Sequence, residues 1–568
     1  MKKLLFIFLN LCFFFLSFSK DFKEYTHDAI ISFEQDDLPD HDAQSALTFS
    51  SEHYKHLQHS LKWTWNSPNS YWSIHDRINY VQPATSTDPQ ISTFVFWIYS
   101  EKPIKNEKLR VEFLKKGKVT SYFDYGLDFT GWRGAWIAFD RDMEGRPEEG
   151  MDEVRFSAPA LDSGTLYFDH VILSSMQDAR HHTADMQAPF INRGTTNHWL
   201  ILHESWLKEF DLPMVNATTA EIGDIDQIEK RVREYLLKGE KAKPLHMLQA
   251  EVDAYRITEN PNGSLKGVPL FFERFGETYQ VLGAEKYSLI YDNIMGLSKF
   301  NKTLLNLSVT YNLSDDEAEK NVLEELFIKM IRHMLDQGFQ AGSAMGTLHH
   351  LGYSMRNYYP AVFLMAEVLE RHQLKNQMQQ AMEWFAGTGE VKTAPLIPGM
   401  DVDTFNTNLI GRLTSILMIG SQPEKVRYLH AFTRWLDNGY QYADGTRGTF
   451  KIDGTMFHHR HNYPAYAVGG LDGAVAAVYL LRNTPFKISE QSHRILKKAL
   501  LSMRIYCNLQ TWPLSLSGRH PDGEGSLEPE QFGLLALAGS PDGKHDIDKE
   551  MAEAYLRLVT RETDITAT

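Results

Sequence analysis

The densest group of reactive side chains lies between residues 453 and 466, in the segment DGTMFHHRHNYPAY. It holds three imidazoles, a guanidinium group, an amide and two phenols. Imidazoles, guanidinium groups and amides donate hydrogen bonds to anions, and imidazoles and phenols can also transfer protons. Because few carboxylates accompany them, the segment predicts a loop that binds an anion and exchanges protons with it.

Two other loops carry side chains of the same kinds. One begins at His349 and His350 and includes Tyr353 and Arg356, and the other, SGRHPDG, contains Arg519. Loops are where binding and catalytic side chains are usually carried. Together the three loops predict a cationic pocket lined by phenols.

Such a pocket suits the removal of a proton from a carbon next to a carboxylate. The carbanion that forms adds negative charge to an existing anion, so the site must neutralise the carboxylate and hold a base nearby. A tyrosine whose pKa is lowered by neighbouring arginine and histidine side chains can take the proton and return it to the leaving oxygen. The residue types therefore favour an elimination reaction.

Two interpretations of the same loops that involve no catalysis stay open on residue types alone. His458, His459 and His461 could hold a metal ion, although they lack the helical spacing of zinc peptidases. The loops could also contain histidines and tyrosines that only pack against the core. Neither interpretation requires a reaction.

A glycoside hydrolase is the catalytic alternative. Asp401 or Asp403 could pair with Asp453 as the acid and base of a hydrolase built on a helical toroid. The sequence has no Walker motif, glycine-rich dinucleotide motif, HExxH motif or suitably flanked GxSxG motif, so nucleotide, zinc-peptidase and serine-hydrolase chemistry lose their main support.

The elements that position these loops belong to an ordered protein. Of its 568 residues, 43% are hydrophobic and 23% are charged, which excludes disorder as the main state. The formal net charge is −15, which disfavours nucleic acid and anionic membranes as partners because both attract basic surfaces. Cys12 and Cys507 are the two cysteines, and the first lies in a segment expected to be removed.

Residues 1–19 have the features of a secretory signal peptide. Two lysines precede an apolar run from Leu4 to Phe18, and small residues follow near the expected cleavage position. No later run reaches the roughly 18 apolar residues of a membrane span. The sequence predicts an exported bacterial protein, secreted or periplasmic, that has no membrane span after signal cleavage and is a monomer.

Two kinds of periodicity divide the rest of the chain. Between residues 25 and 180, short aromatic and β-branched runs alternate with turn residues, which predicts an antiparallel sandwich or jelly roll. Residues 181–245 are polar and predict a helical linker, and residues 246–565 show helical spacing without intervening strands, which predicts a toroid or solenoid. The strands are predicted at 91–99, 109–113, 136–139, 153–157 and 165–173. The helices are predicted at 314–338, 361–372, 377–385, 424–436, 471–481, 489–506 and 549–559, with Ser314 and Glu317 as the capping pair of the first.

At these loops the sequence resembles the chondroitin sulfate ABC lyases of polysaccharide lyase family 8. The motifs that carry the resemblance are DGTMFHHRHNYPAY at 453–466, GTLHHLGYS at 346–354, MLDQGFQAGSA at 334–344, LSGRHPDG at 516–523 and LDFTGWR at 127–133. The resemblance covers nearly the whole mature chain. It implies a multidomain protein, β then α, with an N-terminal β-sandwich jelly roll of the galactose-binding type followed by an incomplete (α/α) toroid.

The resemblance also implies an activity and the residues that carry it. The activity is β-elimination at the uronic acids of chondroitin or dermatan sulfate, with hyaluronan as a further substrate, and no catalytic cofactor is expected. His459 and Tyr466 correspond to the catalytic pair, and Arg519 to the arginine that supports them. Tyr466 would donate a proton and act as base for glucuronate, and His459 would be the base for iduronate. The substrate-binding residues would be His349, His350, Tyr353, Arg356, Asn406, His458 and Asn462.

Two features depart from the family pattern. His458 stands where the family has an arginine before the catalytic histidine, which would weaken a contact to the substrate or make it pH dependent. The family also completes its site with a glutamate from a β-domain after the toroid, and the last predicted helix lies close to Thr568. The sequence is therefore expected to lack the C-terminal β-sandwich domains, and a glycosaminoglycan-binding protein without activity stays an alternative.

A structural calcium ion is a further expectation for the N-terminal domain. Glu34 and Asp169 lie at opposite ends of the jelly-roll pattern, as in related carbohydrate-binding sandwiches where such carboxylates hold Ca²⁺. Two surface carboxylates near strand ends are the alternative.

Overall fold

The computed structural model describes residues 28–34, 38–83, 90–178, 185–188, 201–261, 263–272, 295–344, 348–508, 510–518 and 526–560. For residues 201, 295 and 348–350 it describes the backbone alone. The predicted signal peptide, Arg519 and the side chains of His349 and His350 lie outside what is described.

The N-terminal part of the chain is a sandwich of two antiparallel sheets. The strands are β1 (His41–Ala43), β2 (Ala46–Ser50), β3 (Ser60–Trp65), β4 (Tyr71–His75), β5 (Gln90–Ser100), β6 (Lys108–Lys115), β7 (Lys118–Gly126), β8 (Gly131–Ala138), β9 (Glu144–Gly145), β10 (Glu153–Ser157) and β11 (Gly164–Asp178). One sheet has the order β1-β4-β10-β6-β7-β9, and the other has the order β2-β3-β11-β5-β8. A short helix, α1 (Phe139–Asp142), follows β8.

The five-stranded sheet is buried on both faces. In β5, Phe94, Phe96 and Ile98 belong to the core between the two sheets. The alternate residues Trp97 and Tyr99 belong to the core that the sheet shares with the helices. Because side chains alternate along a strand, a continuous apolar run is what a strand covered on both sides requires. The sandwich is therefore joined to the helical part through a full face of one sheet.

The rest of the described chain is mainly helical. Its helices are α2 (Ile201–Leu207), α3 (Thr219–Leu237), α4 (Leu245–Asp253), α5 (Leu297–Leu313), α6 (Glu317–Asp336), α7 (Leu348–Met355), α8 (Tyr358–Leu364), α9 (Ala366–Arg371), α10 (Lys375–Ala386), α11 (Val402–Thr407), α12 (Leu409–Leu417), α13 (Gln422–Tyr440), α14 (Pro464–Leu481), α15 (Glu490–Tyr506), α16 (Pro529–Leu537) and α17 (Lys549–Thr560). Short strand pairs join some of them: β12 (Thr258–Glu259) with β13 (Leu265–Lys266), β14 (Leu270–Phe271) with β15 (Met295–Gly296), and β16 (Phe457–His458) with β17 (His461–Asn462). The predicted fold class, β then α, is confirmed.

The predicted domain boundaries stay predictions. Within the predicted linker, α3 buries Ile225, Ile228 and Val232 in the same core as the later helices. This segment packs as part of the helical body.

The predicted helix at 314–338 is confirmed, but its predicted capping pair is wrong. The carboxylate of Asp316 caps α6 by accepting hydrogen bonds from the backbone N–H groups of Ala318 and Glu319. Ser314 instead ends α5. A carboxylate adds favourable charge at a helix N-terminus, so Asp316 is as good a cap as serine, and the sequence offers both.

Gly338 follows α6 and allows the helical part to approach the sheet closely. Its φ is +93°, and a Cβ atom there would lie 2.2 Å from the carbonyl oxygen of Trp132 in β8. Only glycine fits such a position without displacing backbone. The predicted stop residue of the helix therefore also sets the contact between the two parts of the chain.

α14 is apolar and long enough to cross a membrane by length and composition. Of its 18 residues, 72% are buried inside the protein, as in a core helix. This helix begins at Pro464 and carries Tyr466 in its first turn.

Candidate functional site

A two-residue hairpin holds His459 at its tip. β16 and β17 pair so that His458 lies opposite His461, and His459 and Arg460 between them have φ of +47° and +71°. Two successive positive φ angles define the tight turn that matches strand twist. This conformation costs about 1–2 kcal/mol for a residue with a side chain. The fold therefore holds an imidazole at a position where glycine would be easier to accommodate.

The ring of His458 contacts both members of the predicted catalytic pair. The ring of His458 stacks on Tyr466 with centroids 4.1 Å apart and an angle of 16°. His459 lies 4.0 Å from His458 and 5.8 Å from Tyr466, again between ring centroids. The hairpin and the first turn of α14 thus place both residues on one surface, separated by His458.

The phenol of Tyr466 belongs to a three-residue network. Its oxygen donates to Oδ1 of Asp403 at 2.7 Å, and it lies 2.7 Å from the phenol oxygen of Tyr353. The Tyr353 hydroxyl also donates to Asp403 Oδ1, at 2.9 Å. Asp403 lies in α11, whose N-terminus is capped by Asp401. Two phenols therefore share one carboxylate oxygen.

This network shifts the pKa of Tyr466 in the direction opposite to the predicted one. A lowered pKa was expected from cationic neighbours, but burial and the hydrogen bonds with Tyr353 and Asp403 raise the pKa of Tyr466 well above its usual value. A nearby carboxylate disfavours the phenolate. In this arrangement Tyr466 keeps its proton at neutral pH and is suited to donate it.

Arg356 and Asn406 lie beside Tyr353. Nη2 of Arg356 donates to Oδ1 of Asn406 at 2.7 Å, and the guanidinium carbon lies 4.5 Å from the centre of the Tyr353 ring. This is the range of a cation–π contact. Two of the predicted substrate-binding residues therefore form a unit joined through Tyr353 to Tyr466.

The other predicted site residues lie close by or outside the described chain. Asn462 ends the second strand of the hairpin, and its buried amide oxygen has no hydrogen-bond partner in the described part of the chain. Gly518, the residue before Arg519, lies against Tyr463, since a Cβ atom there would be 2.3 Å from the ring. His349 and His350 lie in the first turn of α7.

Asp401, Asp403 and His458 form a group that could hold a metal ion. One ligand atom from each lies within 4.8 Å of the others. The imidazole nitrogens of His458 are 3.6 Å from Asp401 and 4.0 Å from Asp403. Two carboxylates and one imidazole suit a divalent cation. Among the residues that are described, these donors come together, whereas His458, His459 and His461 do not form such a group.

If this group binds a cation, we expect Mg²⁺, Ca²⁺ or Mn²⁺ to raise the melting temperature of the protein by a few degrees, because a ligand that binds only the native state stabilises it. Asp401→Asn should lose the shift, since it removes one carboxylate. Asp453→Asn is the matched control: Asp453 is exposed and accepts hydrogen bonds from Thr455 within its own turn. Equal shifts in both variants would show that the cation binds elsewhere.

The two carboxylates predicted to bind calcium accept hydrogen bonds from nitrogen donors. Asp169 is fully buried and accepts from the backbone N–H groups of Lys55, His56 and His170 at 2.7–2.8 Å. Glu34 accepts from two backbone N–H groups and lies 3.1 Å from the ring of His59. A Ca²⁺ ion would have to compete with these donors for the same oxygens. The calcium site stays a prediction.

Two family models match the chain. The model described as "Lyase, N terminal" matches residues 27–190, and the model described as "Lyase, catalytic" matches residues 212–564. The second covers more than half of the chain and includes the hairpin, α11 and α14. The chain belongs to this lyase family.

Two curated relatives and one solved structure are similar to the chain. The chain is 42% identical to a chondroitin sulfate ABC exolyase of Bacteroides thetaiotaomicron over 95% of the chain and 53% of the relative. It is 32% identical to a chondroitin sulfate ABC exolyase of Proteus vulgaris over 90% of the chain and 53% of the relative. A solved chondroitin AC lyase of Streptomyces coelicolor A3 matches 65% of the chain and 45% of that protein, with 12% identity and a TM-score of 0.39. The chain spans about half the length of the curated relatives it matches.

The sequence did not identify Asp403 as the hydrogen-bond partner of Tyr466. Asp403 entered only as a possible carboxylate of a hydrolase, together with Asp453. The spacing of Asp403 and Asn406 could have indicated that both belong to one site, because residues three apart lie on one face of a helix. The structure shows Asp403 as a hydrogen-bond partner of Tyr466.

Proposed function

We propose that the chain carries the N-terminal and catalytic parts of a glycosaminoglycan lyase that cleaves chondroitin or dermatan sulfate by β-elimination, with hyaluronan as a further substrate. The observation that carries the proposal is the phenol of Tyr466, which is hydrogen-bonded to Asp403 and lies beside His459 in a chain that belongs to the lyase family. The names of the relatives supply the substrate class.

In the proposed reaction a base removes the proton from the ring carbon next to the uronate carboxylate. The electron pair forms a double bond to the neighbouring carbon, whose bond to the glycosidic oxygen breaks. That oxygen takes a proton and leaves as a hydroxyl group. Tyr466 supplies this proton, because its raised pKa keeps it protonated at neutral pH.

His459 is the proposed base for iduronate. It lies on the same surface as Tyr466, so one residue can take a proton while the other donates. For glucuronate the proposal gives both steps to Tyr466, and this requires that the charge of Asp403 be offset first. Arg519 or a cation at Asp401, Asp403 and His458 would supply the positive charge.

The remaining predicted residues would bind the acidic polysaccharide. Arg356 and Asn406 would contact a carboxylate or sulfate group of the substrate. The planar guanidinium group of Arg356 matches the arrangement of the oxygen atoms in these anions. Tyr353, His458, Asn462, His349 and His350 would line the same cleft. We also propose that the protein is exported and acts as a monomer.

The experiment that tests this function follows the ultraviolet absorbance of the unsaturated product while the purified chain is incubated with chondroitin sulfate. Growth of the absorbance supports elimination. Reducing ends that appear without the absorbance would contradict it in favour of hydrolysis, and binding without either product would favour a glycosaminoglycan-binding protein.

A further inference from the structure

Three oxygen atoms lie within hydrogen-bond distance of one another at the candidate site. They are the phenol oxygens of Tyr353 and Tyr466 and Oδ1 of Asp403, and the distances between them are 2.7, 2.7 and 2.9 Å. Each phenol supplies one hydrogen and a carboxylate supplies none. Two hydrogens therefore serve three contacts, so a hydrogen can pass from one contact to another by rotation of a hydroxyl group.

Tyr353 is held in this triangle by its own helix and by Arg356. The residue before it in α7, Gly352, packs closely on α11, since a Cβ atom at Gly352 would lie 2.6 Å from Cβ of Thr407. The same helix, α11, carries Asp403. On the other side, the guanidinium carbon of Arg356 lies 4.5 Å from the centre of the Tyr353 ring. Contacts within the protein therefore place the hydroxyl group of Tyr353 beside Asp403.

The proposed reaction requires Tyr466 to release Asp403. The hydroxyl group of Tyr466 donates to Oδ1 at 2.7 Å, and the same hydrogen has to pass to the leaving oxygen. A partly buried carboxylate that loses its donor is destabilised. Tyr353 avoids this cost, because it also donates to Oδ1, at 2.9 Å.

We propose that Tyr353 is a positioning residue for the elimination. Its hydroxyl group keeps Asp403 hydrogen-bonded while Tyr466 turns its hydrogen towards the substrate, and it then donates to the Tyr466 oxygen that has lost its proton. This inference rests on the proposed function and gives Tyr353 a role besides lining the cleft.

The proton movements balance over one cycle. The O–H bond of Tyr466 breaks as the leaving oxygen takes the proton, and the negative charge passes to the phenol oxygen. The hydroxyl group of Tyr353 lies 2.7 Å from that oxygen and shares its hydrogen between this oxygen and Asp403. A proton from solvent then restores Tyr466, and His459 returns to solvent the proton that it took from the sugar.

The first test measures kcat and KM of the full chain with dermatan sulfate oligosaccharides, whose iduronate leaves the role of base to His459. Tyr353→Phe should lower kcat about 10- to 100-fold, the effect of one hydrogen bond to a charged oxygen. It should change KM less than about 3-fold, because the ring beside Arg356 stays. A raised KM with an unchanged kcat would make Tyr353 a substrate contact alone and would overturn the proposal.

Tyr122→Phe is the matched control. The phenol of Tyr122 also donates to a carboxylate, that of Glu144 at 2.6 Å, but it lies on the exposed surface of the sandwich. This variant should keep the wild-type kcat and KM. A loss of kcat in Tyr353→Phe no larger than that in Tyr122→Phe would overturn the proposal.

A second substrate separates the supply of a proton from damage to the site. It is a synthetic iduronate whose leaving group is a nitrophenol, which departs without being protonated. Because no general acid is needed, Tyr353→Phe and Tyr466→Phe should both act on it within about 5-fold of wild type. An equal loss of kcat with the sugar and the nitrophenol leaving groups would show that the substitution distorts the site, and would overturn the proposal.

A third measurement needs no substrate. Either phenol alone leaves Asp403 with a donor, so Tyr353→Phe and Tyr466→Phe should each lower the melting temperature by a few degrees at most. The double variant removes both donors and should lower it by more than the sum of the two. If the wild-type chain forms no product from either substrate, the proposed function fails, and an excess loss in the double variant would still support the shared hydrogen bonds. A loss equal to or below the sum would overturn them whatever the activity.

Discussion

Tyr466→Phe should lower the rate of formation of unsaturated product by about 1,000-fold, within the range found for the loss of a general acid or base. The substitution keeps the ring that stacks on His458 and removes only the oxygen that donates to Asp403. The half-buried phenol is the group that the proposed reaction uses to protonate the leaving oxygen. Initial rates at saturating and at low substrate concentration would show whether the loss lies in kcat, as expected for a group that acts in the transition state.

The matched control is Tyr479→Phe. Tyr479 lies in the same helix, α14, and its ring contacts Arg482 at the other end of that helix. This variant should keep the wild-type rate, and both variants should keep the wild-type melting temperature to within a few degrees. A Tyr466→Phe protein that forms product at the rate of Tyr479→Phe would remove Tyr466 from the reaction.

Lys55→Ala should lower the free energy of unfolding by about 3–5 kcal/mol, because it leaves buried acceptors unsatisfied and opens a cavity. Lys55 lies between β2 and β3 and is fully buried. Its ammonium group donates to the carbonyl oxygens of Leu270 and Gln337 and to the side chain of Gln337, at 2.8–3.0 Å. It also lies 4.5 Å from the centre of the Trp97 ring. Alanine would leave these acceptors without their donor and open a cavity between the sheet and the helices.

Lys62→Ala is the control for this prediction. Lys62 lies in β3, and its ion pair with Glu52 is largely exposed, so its loss should cost less than about 1 kcal/mol. The measurement is denaturation by guanidinium chloride with both variants under the same conditions. Equal midpoints for the two would show that the contact of Lys55 with the helical part does not hold the two parts of the chain together.

The sequence predicted the elements of the fold better than the contacts between them. The strand at 153–157 and the helix at 549–559 are observed as β10 and α17 with bounds that agree within one residue, because alternation and helical spacing report directly on which face is buried. The burial of Lys55 was not predictable in this way. Its partners, Leu270 and Gln337, are more than 200 residues away in the sequence, and no local pattern encodes such a contact.

For the candidate site, too, the sequence predicted the residues better than the contacts between them. Residue types and motif resemblance located Tyr466 and His459, and the hairpin with its positive φ angles then places them together. The sign of the pKa shift of Tyr466 was wrong, because it depends on Asp403 in another helix and not on the cations that are its neighbours in the sequence. Electrostatic effects of this kind are set by tertiary distances, which the one-dimensional pattern does not contain.

The most direct test of elimination is to digest chondroitin sulfate oligosaccharides with the full chain in water enriched in heavy oxygen and to analyse the products by mass spectrometry. Elimination breaks the glycosidic bond without adding water. The account predicts one fragment with an unsaturated uronate at its non-reducing end, and no heavy oxygen at the new reducing end. Saturated fragments with heavy oxygen at the new reducing end would show hydrolysis and contradict the account, and so would intact substrate after prolonged incubation.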